Sequence, residues 1–303
     1  MGATRESPLV VVCGATGAQG SSVAKHLFDD GGYRVRVLTR NIDSEKAQVL
    51  GRQGAEVVKC DLGDKEQVTS ALSGAYAVFG VTNFWEHGEA AEISHGKNLA
   101  NAAKACGVKH FIWSSVPRVD GVVPRHWESK AIVNDYLHEI GVPTTTIFTS
   151  FYYENLWMFF LPKKLSDGTL VLDWFFPSEC HLPSFAVEDL GAWVVIALKN
   201  PETWIEETMT TCSELLTPRD YAEVLSNGLG TKVTLKEVSY ADFEAIRPHV
   251  SDDVWLNIKA FWDQPNVLGG KIDESRQLYP GFQDLEKFVK THKERILAAA
   301  TPA

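Results

Sequence analysis

The sequence predicts an α/β chain, a doubly wound parallel sheet followed by a smaller, mainly helical lobe. Three observations carry this. Short apolar, β-branched runs alternate with helical patterns over roughly the first 150 residues, several of those patterns stop at a glycine, and the strand-like runs thin out afterwards. Strands that are apolar on both faces and joined by single helices suit a parallel sheet covered on both sides. At 303 residues, 45% hydrophobic and 22% charged, the chain can bury one large core plus a smaller lobe.

In chain order, the run at 8–13 (PLVVVC) reads as the first strand and leads through a glycine-rich turn into a helix at 18–30, closed by Gly31. The strand at 33–39 (YRVRVLT) is followed by a helix at 43–52 and Gly54, then a strand at 55–58 (AEVV). A helix at 64–72 with Gly74 leads to the strand at 76–81 (YAVFGV), and a helix at 89–106 with Gly107 to the strand at 109–114 (KHFIWS). A helix at 127–140 with Gly141 precedes the last strand, 143–149 (PTTTIFT). Beyond it, "FAVEDLGAWVVIALKN", "TPRDYAEVLSNGLG", "SDDVWLNIKAFW" and "FQDLEKFVKTHKERIL" read as less regularly spaced helices. The expected division is residues 1–150 for the sheet domain and 151–303 for a lobe on the sheet's C-terminal edge, forming the other wall of a ligand cleft. Residues 1–6 and 298–303 are expected to fray.

A formal charge of −10, a pI near 5.4 and no run of five basic residues speak against direct binding to nucleic acid or an anionic membrane. A regulatory role would have to act through a protein partner. Five scattered cysteines with no C-x-x-C pair point to reduced thiols in the cytoplasm, with or without the nucleus. No apolar run approaches about 18 residues, "MGATRESP" has no apolar signal core, and Glu6 stands where myristoylation of Gly2 wants Ser or Thr. Neither H-E-x-x-H, H-x-H nor G-x-S-x-G occurs, so metal and hydrolase readings are poor.

Gly14, Gly17 and Gly20 follow the first strand at once and open the first helix, the context a Rossmann-type phosphate cradle needs. The first glycine permits the tight turn, the second lets backbone N–H groups approach a pyrophosphate, and the third lets helix pack on strand. The second strand ends Thr39-Arg40-Asn41 with no acid between Tyr33 and Ile42, which favours NADP(H) over NAD(H), although Arg40 also fits a solvated surface charge. Asp61 with the Leu62 backbone is a candidate adenine contact or, equally, a helix cap. Thr82, Asn83 and Phe84 follow the fourth strand, where the pyrophosphate and nicotinamide ribose would pass.

The stretches "VVVCGATGAQGSSVA", "VLTRN", "GAEVVKCDLGD", "GAYAVFGVTNFWE", "HWESK", "IGVPTTTI", "FYYENL" and "FAVEDLGAWV" together resemble the NmrA-like family of atypical short-chain dehydrogenase/reductase proteins, well over about residues 8–200 and loosely beyond. The resemblance implies an NADP(H)-binding Rossmann domain with a smaller C-terminal lobe, in a family with many redox sensors or repressor-type regulators. It implies cofactor contacts at Gly14, Thr16, Gly17, Ala18, Gln19, Gly20, Arg40, Asp61, Leu62, Thr82, Asn83, Phe84, Lys97, Lys130, Tyr152 and Asn155.

A working short-chain reductase offers Tyr-x-x-x-Lys, whose lysine lowers the phenol pKa for proton transfer. None of the eight tyrosines has a lysine four residues on; "RHWESK" puts His126 in the tyrosine's place and keeps Lys130. His126 is then either an unusual acid or a surface residue of a first helical turn. Ser114 and Ser115 occupy the place of the reductases' serine, or are ordinary turn formers. Lys97, with Asn98 and Asn101, lines the site or a solvated helix face. Phe84, Trp85, His87, Trp113, Phe151, Tyr152, Tyr153 and Trp157 have the composition of an apolar pocket with polar handles. The expected function is NADP(H)-dependent redox sensing, as a monomer or homodimer, through a partner such as a transcription factor, with the loop at 82–88 ordered by the cofactor. The alternative is NADPH-dependent reduction of a small hydrophobic or aromatic carbonyl, enone or quinone.

Overall fold

A computed structural model describes residues 7–121, 123–269 and 271–302, so the expected fraying at 1–6 lies outside the described residues. The first unit alternates β1 (Leu9–Val12), α1 (Ala18–Asp30), β2 (Arg34–Thr39), α2 (Glu45–Arg52), β3 (Glu56–Lys59), α3 (Lys65–Leu72), β4 (Ala77–Gly80), α4 (Phe84–Ala105), β5 (His110–Ser115), α5 (Arg125–Glu139) and β6 (Thr144–Phe148). The sheet order is β3-β2-β1-β4-β5-β6, with a seventh, edge strand at Thr208–Thr210 beside β6. Neighbours from β3 to β6 are parallel, in registers such as Val10↔Val35, Val10↔Ala77 and Ser114↔Ile147. Both β1 and β4 are buried along their whole length, which is why they read as unbroken apolar runs. The order reverses between β1 and β4, and in such sheets ligands bind at the C-terminal ends of the strands flanking that reversal.

The chain folds into two units that a single cut at residue 150 does not separate. The first unit comprises the chain through Pro117, His126–Phe148 and Glu188–Met209; the second takes Arg118–Arg125, Thr149–Val187 and the chain from Thr210. Residues 188–209 return because the helix Leu190–Lys199 seats directly on α1. The Ser22 hydroxyl donates to Glu188 O at 2.6 Å and accepts from Gly191 N at 3.0 Å, and a Cβ at Gly191 would lie 2.3 Å from Ser22 O.

The second unit is richer in strands than the sequence suggests. Besides the helices Pro218–Leu229, Asp252–Asp263 and Leu285–Ala299, it has a three-stranded sheet (Phe151–Tyr152, Leu182–Phe185, Glu214–Leu216) and a four-stranded one. The latter pairs Thr301–Pro302 with Lys163–Lys164, so the C-terminal segment expected to fray is instead helical to Ala299 and then strand-paired. Strands of two to four residues leave too little alternation to be read from a sequence.

His110, fully buried on β5, tests the sheet's packing. The Thr145 hydroxyl donates to Trp204 O at 2.6 Å, so its oxygen accepts from His110 Nε2–H at 2.6 Å, while Nδ1 has no partner. Burial lowers the imidazole pKa from 6.5 to about 4. Between those values the unfolded chain binds the extra proton, so stability falls as pH drops through that window and the loss is complete below about 4. Denaturant melts from pH 7 to 4 should show His110→Gln removing up to about 3 kcal/mol of pH dependence.

Candidate functional site

The glycine turn is built as a phosphate cradle requires, and its glycines are needed for different reasons. Gly14 has φ +61°, and a Cβ there would lie 2.9 Å from Val81 Cγ1 at the end of β4. A Cβ on Gly20 would sit 2.4 Å from Gly14 O, so this glycine is what lets α1 pack on β1. Gly17 is different: its φ is −97°, and a Cβ would meet only Gly14 O, at 3.3 Å. Packing forbids a side chain at Gly20 and only crowds one at Gly17, whose bareness also suits close approach by a ligand. Gly17 is also the N-cap of α1, with no side-chain cap and no acidic residue in the first turn, Ala18-Gln19-Gly20. That end of the helix offers backbone N–H groups and a positive dipole to an anion. Thr16 O accepts from Lys46 Nζ at 3.1 Å, a cation at the rim of the turn that the sequence reading did not single out.

Beside the cradle, Arg40 at the end of β2 is half exposed and pairs Nη2 with Glu86 Oε1 at 2.7 Å. The Arg40 guanidinium holds the Glu86 carboxyl below its ordinary range. His87 Nε2 lies 3.5 Å from Arg40 Nη1, and the His87 and His95 rings meet edge-on at 5.0 Å. Burial, then the neighbouring His87, lowers the His95 pKa. Asp61 is not a helix cap: its Oδ1 accepts from Gly63 N at 2.8 Å, and Asp64 caps α3 instead. Asn98, buried on α4, donates to Leu62 O at 2.8 Å and fixes this turn.

At the end of β4 stands the residue that sequence reasoning missed. Glu92 is fully buried on α4. Thr82 Oγ1 donates to its Oε1 at 2.9 Å, Lys130 Nζ pairs with the same oxygen at 2.6 Å, and the Ser129 hydroxyl bonds Oε2. Lys130 also donates to Thr82 O at 3.3 Å, and its own carbonyl accepts from Trp113 Nε1 at 3.0 Å. An ammonium has three donors, and these bonds use two. Glu92 gave no signal because an acid in a helical pattern reads as solvated surface.

His126 sits one turn before Lys130, with ring centroids 5.7 Å from Phe84 and 4.9 Å from Trp85. Ser114 Oγ, at the end of β5, is buried without a hydrogen-bond partner. Asn83 is the N-cap residue of α4, without a side-chain cap bond, and donates Nδ2 to Glu86 Oε2 at 3.3 Å. The segment read as a loop at 82–88 is partly helical, because α4 begins at Phe84 and breaks at Gly88 (φ 75°, ψ 175°).

Other candidates make their own contacts within their units. Lys97 Nζ stands 4.8 Å over the Tyr136 ring, and Asn101 accepts from Tyr136 OH at 2.9 Å, both toward α5. Tyr152 and Asn155 belong to the second unit, where Tyr152 packs edge-on against Phe185 and Asn155 opens a short helix. Several of the aromatics expected to line one pocket are instead packed into the core of their own unit. Trp113 and Tyr153 are fully buried core, Trp157 stacks on Phe288 at 5.2 Å, and Phe151 packs with Phe160, Trp174, Phe176 and Tyr221. Among the described residues no cluster of three or more His, Cys, Asp or Glu is arranged for a metal. Nor is any helix among them long and apolar enough to cross a membrane.

Lys130→Met would strand the Glu92 carboxylate in the interior at a cost of about 3–5 kcal/mol. The double variant Lys130→Met/Glu92→Gln should lose markedly less, a non-additivity that urea denaturation measures.

The chain is similar to known proteins along nearly its whole length. The NmrA-like family profile matches residues 6–289. An NmrA-like family domain-containing protein from Dictyostelium discoideum is 32% identical over 281 residues, covering 87% of this chain and 91% of that one. An NmrA-like family domain-containing oxidoreductase from Aspergillus japonicus is 30% identical over 258 residues, 76% of each chain. Among solved structures, NmrA, a negative transcriptional regulator crystallised with NADP, superposes with a TM-score of 0.80 at 23% identity, covering 96% of this chain and 98% of that one. With the profile spanning both units and a relative above 30% identity matching most of its length, the chain belongs to the NmrA-like family.

Proposed function

We propose that the protein binds NADP(H) in the crevice at the ends of β1 and β4 and acts as a redox-sensing regulator through a protein partner such as a transcription factor. Gly17 and the uncapped start of α1 would hold the pyrophosphate, Arg40 the 2′-phosphate and Lys130 a ribose hydroxyl. The family's NADP-bound regulator supports the cofactor assignment. When bound, NADPH supplies a hydride and NADP⁺ accepts one.

The observation that carries the regulatory reading is at 126–130. The lysine is kept, but its charge is answered by Glu92 rather than spent on lowering a phenol pKa, and the acid's place holds a histidine packed beside Phe84 and Trp85. Sensing would run through cofactor occupancy and not through thiols. Burial raises the pKa of Cys60 to about 11, of Cys180 and Cys212 to about 12 and that of Cys13 further, and it raises that of the partly buried Cys106 as well. The half-exposed Trp85, in the turn before Gly88, is the group whose surroundings would change with occupancy.

A second reading, NADPH-dependent reduction of a hydrophobic carbonyl, enone or quinone, is favoured by the buried, unpartnered Ser114 hydroxyl and by the oxidoreductase relative. Absorbance at 340 nm separates the two. The regulator binds NADPH without oxidising it in the presence of quinones, enones and aryl aldehydes; steady oxidation that responds to His126→Ala establishes the reductase. For the cofactor itself, Arg40→Glu should weaken NADP(H) by about tenfold or more while leaving NAD(H) nearly unchanged, and equal losses in a calorimetric titration overturn the assignment.

A further inference from the structure

The end of β2 carries no carboxylate for a ribose 2′-hydroxyl, yet a carboxylate stands there, delivered by another element. Glu86, in the first turn of α4, reaches across to Arg40 with Oε1 2.7 Å from Nη2. We propose that Glu86 is a specificity-determining residue, which competes with the 2′-phosphate of NADP(H) for Arg40 and thereby narrows the preference of the site for NADP(H) over NAD(H). The inference rests on the cofactor reading above.

Arg40 recognises a phosphate through its planar fork of N–H donors, and a carboxylate already bonded to Nη2 occupies one arm of both bidentate modes that use that nitrogen, end-on with Nη1 or side-on with Nε. Glu86 takes Nη2, and His87 Nε2 stands 3.5 Å from Nη1. The same Glu86 carboxylate receives only weak support from its own turn, through Asn83 Nδ2 at 3.3 Å and His87 Nε2 at 3.6 Å. Its side chain is 42% exposed, so it leaves Arg40 without desolvation or repacking cost. The turn that carries it ends at Gly88, whose φ of 75° and ψ of 175° break the helix there and separate the turn from the rest of α4. An incoming phosphate thus displaces a singly charged carboxylate, whereas a ribose 2′-hydroxyl finds that carboxylate already in place as an acceptor. Glu86 works against one dinucleotide and with the other.

Glu86→Gln keeps the length and one acceptor oxygen and removes the charge. Titration of the full-length protein with NADP⁺, NAD⁺, 2′,5′-ADP and 5′-ADP reads the effect. An exposed ion pair of this kind corresponds to about a two- to fivefold change. The NADP⁺ and 2′,5′-ADP dissociation constants should fall by that factor, with those of NAD⁺ and 5′-ADP unchanged or raised. A gain of affinity cannot arise from misfolding. Unchanged NADP⁺ binding, or equal tightening of both dinucleotides, overturns the role of Glu86 while leaving the cofactor assignment standing. A wild-type protein that binds neither dinucleotide removes the assignment and this inference together.

Discussion

A carboxylate wholly removed from water must be answered by its neighbours, and the arrangement around the β4 end follows from that demand on Glu92. Thr82 after β4, Ser129 and Lys130 on α5, and through the Lys130 carbonyl the Trp113 indole on β5, are drawn to one point on α4. Removing any of them leaves a buried polar group unmatched, which ties the position of the lysine to that of the sheet. The direction of this lysine is fixed by a charge deeper in the protein. Close packing supports the same junction, since a Cβ on Gly96 of α4 would stand 2.5 Å from Val133 of α5.

The parts of the fold legible in the sequence were those specified by neighbours in the chain. The glycine turn, the alternating strands and helices through β6, and the lysine one turn past His126 all depend on local spacing. The illegible parts depend on distant partners. Gly191 looks like an unremarkable helical glycine until Ser22, 169 residues earlier, is found bonded to its N–H. Glu92 looks like surface until a lysine 38 residues later arrives. Composition gathered eight ring-bearing residues into one imagined pocket, whereas burial distributes them between two cores and one exposed turn. The period of a pattern shows which face is apolar, not what will cover it.

The returning segment has its own constraint at the sheet edge. Glu206 is the one non-glycine among the described residues with a positive φ, 67°. Its carboxylate accepts from Thr144 N at 3.2 Å and meets His138 Nδ1 at 2.9 Å, while its N–H donates to Thr144 O at 2.6 Å. Several bonds thus over-determine a conformation that an unsupported glutamate avoids. They bring Thr208–Thr210 into place as the last strand.

Because residues 188–209 supply both that edge strand and the helix lying on α1, the nucleotide-binding fold is not a module that ends where its sequence pattern ends. A fragment stopped at residue 150 would expose the α1 face that Gly191 was shaped to fit and leave β6 as an open edge, a template for unwanted pairing. On the ribosome, the glycine turn emerges early but cannot be braced until some 170 further residues have been made, judged by the Ser22 to Gly191 separation of 169. The second unit's first strands are threaded through that interval, so the chain begins its second unit before it has supplied the last pieces of its first.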